Sequence, residues 1–150
     1  MIQAPEITDK LFLIKFYCEA HRDFVTRNII SINGKVISTD SYAAFAEEFK
    51  KEEVKKEVYG IVYYLQREGE EITGIEGLVS QEDVVAHLRQ MIGNTPLLVT
   101  YFPKPSDDIE RLEALLVEKG ADHVLSHYRF DSTNLYMALD RTMANASKRV

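Results

Sequence analysis

Alternating strand-like and helix-like periodicities assign this chain of 150 residues to the α/β class. Three observations carry the assignment. Short apolar, β-rich runs occur at residues 11–18, 58–65 and 97–102, and helical apolar stripes separate several of them. An Asn33-Gly34 pair flanked by β-branched residues supplies a turn signal. Together they predict an α/β (α+β) fold with a single mixed sheet. Its N-terminal part is expected to be antiparallel with a β-hairpin, followed by βαβ units with helices packed on the sheet.

Residues 11–18 alternate, placing Phe12, Ile14, Phe16 and Cys18 on one side, which reads as a strand with one buried face. Residues 28–32 and 35–39 flank Asn33-Gly34 and read as the two arms of a hairpin. Asp40 or Ser41 then caps a helix whose stripe is Tyr42, Phe45, Ala46 and Phe49. The stripe fades into a charged run. Glu47 with Lys51 and Glu52 with Lys56 stand four apart there, a spacing worth about 0.2–0.5 kcal/mol per pair on a helix.

Residues 58–65 are rich in strand formers, and Gly69 and Gly74 predict that the strand turns back over 70–76 as a second hairpin. Ser80, with Asp83 three places on, caps a helix carrying Val84, Val85, Leu88, Met91 and Ile92, and Gly93-Asn94 stops it. Residues 97–102 form a buried strand. Ser106, Asp107 and Asp108 open the next helix, which Gly120 ends. Residues 121–130 alternate and read as a strand. Asp131-Ser132 opens a last helix with Leu135, Tyr136, Leu139 and Met143.

The expected organisation is a single globular domain over 1–150, frayed at 1–8 and 147–150. Apolar types make up 45% of the chain, enough for a core that needs no metal or disulfide staple. The net charge of −6 opposes a broad nucleic-acid surface. This charge is uneven: residues 46–76 carry five basic and nine acidic groups. Cys18 stands alone, residues 1–8 lack a basic leader, and Lys15 interrupts the apolar run behind them. A cytoplasmic protein without a membrane span is therefore expected.

Candidate chemistry is sparse. No GxGxxG, Walker, GxSxG, HExxH or paired CxxC sequence is present. His123 and His127 suggest a metal, but on a strand they would stand about 13 Å apart, too far to share one ion. The same strand would place His123, His127 and Arg129 on one face. Lys104, Asp131 and Ser132 lie near the carboxyl ends of neighbouring strands, where ligands of parallel sheets collect. These six residues form the candidate ligand site, with His127 the candidate acid or base. The bland reading is a wet strand surface with ordinary helix caps. Cys18, by its place on the apolar face, is expected to be buried and inert.

The favoured function is a non-enzymatic binding or regulatory protein recognising a protein partner or a small anionic ligand, with self-association expected. Partner recognition would use the tyrosine-bearing strand 58–65 or the charged helix. The alternative is an enzyme acting on a phosphate-containing small molecule or nucleotide through His127, Arg129, Lys104 and Asp131. No cofactor is expected, and a divalent cation enters only with that alternative. Nucleic acid is the least favoured partner.

Overall fold

The computed structural model describes residues 5–149. In chain order its elements are β1 (Leu11–Lys15), α1 (Glu19–Ser31), β2 (Lys35–Thr39), α2 (Tyr42–Lys50), α3 (Glu52–Glu57) and β3 (Val58–Leu65). They continue with β4 (Glu70–Glu71), β5 (Leu78–Val79), α4 (Gln81–Ile92), β6 (Leu97–Tyr101), α5 (Ile109–Lys119), β7 (His123–Ser126) and α6 (Ser132–Lys148). Five strands form one sheet in the order β2-β1-β3-β6-β7, and every neighbouring pair is parallel.

A parallel sheet needs a crossover for each strand pair, so helices cover both faces and the central strands are apolar on both sides. All residues of β1 and β6 are buried. On one face, Phe12, Ile14 and Phe16 pack with Val25 and Ile29 of α1 and with Leu135 and Leu139 of α6. On the other, Leu13, Ile61 and Tyr63 pack with Phe45 and Phe49 of α2, Val54 of α3, Val84 and Leu88 of α4, and Leu116 of α5.

The expected N-terminal hairpin is absent. Residues 28–31 finish α1, and β2 runs parallel to β1. Asn33 does adopt a positive φ of 69°, but as the left-handed residue after a helix rather than in a hairpin turn. Gly34 N–H donates to Ile29 O and Asn33 N–H to Ile30 O, the paired bonds of a Schellman stop. Gly34 also lies where a Cβ would come within 2.5 Å of Ile29 Cγ2, so the return of the chain requires its bare backbone.

Nor does β3 fold back on itself. It sits in the middle of the sheet between β1 and β6, while the two-residue strands β4 and β5 pair antiparallel as a separate flap. A register shift at Leu11/Phe12 moves Tyr59 onto the face of Tyr64 and away from Tyr63. As a central strand with Tyr63 buried, β3 has no free face for partner recognition.

Smaller differences follow from where helices stop. Lys51 is extended between α2 and α3, so the surface pairs form three apart, Glu47–Lys50, Glu48–Lys51 and Glu52–Lys55, instead of four. Asp108 alone caps α5, accepting from Arg111 N–H, and Asp131 caps α6, accepting from Asn134 N–H. Of the segments expected to fray, Ile7 is buried in the core, Ser147 and Lys148 continue α6, and Arg149 grips Asp122. Residues 1–4 and 150 lie outside the described residues.

Candidate functional site

In a doubly wound sheet, ligands bind beyond the carboxyl ends of the strands, where consecutive connections diverge. Here the chain passes from β1 to β2 on one side and then crosses to β3 on the other, so the crevice opens above Lys15 and Tyr64. Each side of the sheet contributes a different cluster there.

On the α1 and α6 side the cluster is aromatic. Phe16, His21, Tyr64, Phe102 and Phe130 surround the ring of His127. The Phe130 ring stacks on it with centroids 4.1 Å apart and planes within 8°. His127 Nε2 lies 3.1 Å from Thr100 Oγ1, whereas its Nδ1 is buried without a partner. The Nε2–H tautomer donating to Thr100 fits, because the other would bury an unpaired N–H. Burial pushes the imidazole down to about 3, and His21 beside it opposes a second positive charge.

A stability prediction follows from this shift. The folded value lies below the ordinary 6.5, so between these limits the unfolded chain binds the extra proton and stability falls as pH drops through the window. Burial also lowers the His21 value, adding to the same slope. Urea titrations between pH 7 and pH 4 should therefore show a declining midpoint, and His127→Gln should flatten that decline. An unchanged slope in His127→Gln would show that other groups carry it.

On the α2 side the cluster is ionic. Lys15 is 1% exposed and donates through Nζ to Glu70 Oε1 at 2.9 Å and to Tyr64 O at 2.9 Å. Glu70 also accepts from Tyr63 O–H at 2.7 Å and, through Oε2, from Gln66 N–H at 3.1 Å. Burial lowers the lysine and raises the Tyr63 phenol, the former opposed and the latter reinforced by Glu70. Lys15, Glu70 and Tyr63 are thus bonded to one another. In the sequence, Lys15 stands out only as an interruption of an apolar run. A lone lysine between Ile14 and Phe16 is itself a signal, since a buried ammonium demands a partner.

The six sequence-derived candidates do not share one strand face. Strand β7 ends at Ser126, whose Oγ accepts from Tyr128 N–H and starts a short 3-10 turn over His127–Arg129. The extended stretch 121–130 is thus halved, and the shared face of His123, His127 and Arg129 is lost with it. His127 turns inward, His123 stays half-buried on β7, and Arg129 is exposed. Asp131 is spent on capping α6, Ser132 is the exposed first residue of that helix, and Lys104 N–H donates to Asp107 in a loop. Cys18 lies beyond the end of β1, as the half-buried residue before α1, and not on the strand's apolar face. Among the described residues no three His, Cys, Asp or Glu side chains gather as a metal-binding group. No helix there is long and apolar enough to cross a membrane.

Beside the Lys15–Glu70 pair lies a cavity of about 690 Å³, walled by the end of β2, the start of α2 and the β4–β5 flap. Asp40 and Glu71 face it, together with Tyr17, Ile75 and Leu78.

No protein-family model matches the sequence, and no curated protein matches it significantly. Solved structures do match in shape. A response regulator receiver domain protein from Clostridium thermocellum superposes with a TM-score of 0.68 at 10% identity, over 94% of this chain and 99% of that one. The chemotaxis response regulator CheY4 of Vibrio cholerae gives 0.64 at 14% identity, over 90% and 99%. The receiver domain of the Francisella response regulator 1452 gives 0.64 at 10% identity, over 95% and 100%. With the strand order described above, these likenesses establish the fold alone: a doubly wound, flavodoxin-like α/β architecture that response-regulator receiver domains also have.

Proposed function

We propose that this chain is a regulatory domain that acts by docking a protein partner and performs no catalysis of its own. The observation that carries this reading is the state of the sheet's carboxyl edge. At the switch point Lys15, Glu70 and Tyr63 are paired with one another and aromatic rings enclose His127, while Asp40 and Glu71 on the wall of the adjoining cavity belong to no group of three metal-ligating side chains among the described residues. Phosphoryl transfer needs a free carboxylate or hydroxyl, or carboxylates holding a divalent cation. Glu70, the buried carboxylate at this edge, already accepts three hydrogen bonds, and the strand-end residues Phe16, Tyr64 and Phe102 are aromatic. The receiver-type fold supports the same reading, because regulators with that name share this framework. The enzyme alternative is the weaker reading, because His127 is enclosed by aromatic rings and Asp131 caps α6.

Two measurements test the proposal. Nucleotides, inorganic phosphate and Mg²⁺ should leave Tm unchanged. Photo-crosslinking in the native host should join the chain to a protein partner. A ligand-induced rise in Tm abolished by His127→Gln or Arg129→Ala would overturn the reading, as would failure of the wild-type chain to crosslink to any protein.

A further inference from the structure

We infer, resting on the docking function just proposed, that the groove along the carboxyl edge from α2 to the start of α4 receives a basic amphipathic segment of a partner protein. Three depressions adjoin along this edge. The cavity of about 690 Å³ shares Asp40 with a depression along α2 that adds Glu47 and Glu48. Ile75 and Leu78 are common to it and a third depression, which adds Asp83 at the start of α4.

Three large apolar side chains stand exposed on its rim: Tyr17 at 68%, Leu78 at 62% and Ile75 at 41%. Their clustering is the informative fact. Single exposed apolar residues are ordinary, but a contiguous set rimmed by polar groups marks a contact surface. The β4–β5 flap presents two of them, and its root is fixed to the core through Glu70 and Lys15. They are held out by a built element and not by a fraying end.

Charge selects the occupant. Asp40, Glu71 and Asp83 have no lysine or arginine within 4.0 Å among the described residues. Lys15 is the cavity's one lysine, and its charge is already matched by Glu70. Arg22 is the remaining cation of the groove lining, and its guanidinium donates to Phe16 O. The acidic stretch 46–76 contributes Glu71, and also Glu47 and Glu48, which pair with Lys50 and Lys51, so the unmatched charge of the walls rests on Asp40, Glu71 and Asp83. Such a surface repels phosphate, nucleic acid and anionic lipid. It also disfavours a second copy of a chain carrying −6. It suits lysines and arginines spaced around large apolar anchors, the pattern of an amphipathic helix seated in a groove.

Fluorescence anisotropy tests this with a labelled synthetic helix bearing Leu at i, i+3, i+4 and i+7 and Lys elsewhere. The controls are its scrambled version and a version with Glu for Lys. The wild-type chain should bind the first and discriminate against both controls. Leu78→Ser, and separately the Asp40→Asn/Glu71→Gln pair, should weaken binding roughly tenfold. Glu110→Gln/Glu118→Gln, exposed on α5 away from the groove, should leave it unchanged. Equal binding of the scrambled helix, or equal loss in the α5 variant, would overturn the inference. So would a wild-type dimer that Leu78→Ser dissolves, since the occupant would then be a second copy. If groove variants still crosslink the native partner as the wild type does, the groove is wrong and the docking function stands. If the wild type crosslinks no protein, the docking function itself fails.

Discussion

Lys15→Met should destabilise the protein by about 3–5 kcal/mol, the cost typical of breaking a buried ion pair from one side. The side chain removed is 1% exposed, and the carboxylate it leaves behind is equally enclosed. Tyr63 O–H and Gln66 N–H would still donate to Glu70, but no cation would balance it. A buried charge left without its partner, more than the lost packing, sets this cost.

The double variant Lys15→Met/Glu70→Gln removes both charges, and its amide oxygen can accept from Gln66 N–H while its amide N–H donates to the Tyr63 hydroxyl oxygen. It should recover most of the loss, because exchanging a whole buried pair for neutral groups is often nearly neutral. Urea midpoints of the four proteins complete the cycle. Hydrogen exchange across residues 70–79 should accelerate in Lys15→Met, since this pair anchors the flap that carries Ile75 and Leu78. Additive midpoints with no coupling would refute the role given to the pair.

Asp122→Ala should cost a similar amount, about 3–5 kcal/mol. Its carboxylate is 2% exposed and gathers three other segments of the chain. Oδ2 accepts from Leu97 N–H at 2.8 Å at the start of β6, from Arg89 of α4 at 3.0 Å, and from Arg149 beyond α6 at 3.0 Å; Arg149 Nε donates to Oδ1. Alanine would strand a backbone donor and leave two guanidinium groups facing each other. Asp122→Asn keeps an acceptor for Leu97 but removes the charge, and should fall between alanine and wild type. Arg149→Ala should cost less than either, because its side chain is partly exposed and Arg89 remains in place. Denaturant titration of the three variants checks this order, and a mild Asp122→Ala would contradict it.

Periodicity made most elements legible. The runs that became β1, β3 and β6, and the stripes of α2, α4 and α6, record which side chains leave water, and this is a local property. Helix α1 escaped because only Val25 and Ile29 among its residues are buried, while its last turn is rich in β-branched isoleucine and meets Asn33-Gly34. A left-handed asparagine serves a helix stop and a hairpin turn equally well, and only the partner strand tells them apart. The face proposed for His123, His127 and Arg129 failed for a similarly small cause. One serine hydroxyl capping a turn stopped β7 after Ser126, and three residues of helical turn redirected every later side chain.

The sequence by itself determined the α/β class, the main strands and helices, and the acidic middle of the chain, because backbone preference and hydrophobic spacing act over a few residues. Tertiary structure alone decided that the sheet is parallel, that Lys15 meets Glu70 across 55 residues, and that Tyr17 and Leu78 face one acidic groove. These facts depend on which strands become neighbours. Neighbours are chosen by closing long loops around a shared core, a global free-energy balance that no short window of sequence contains.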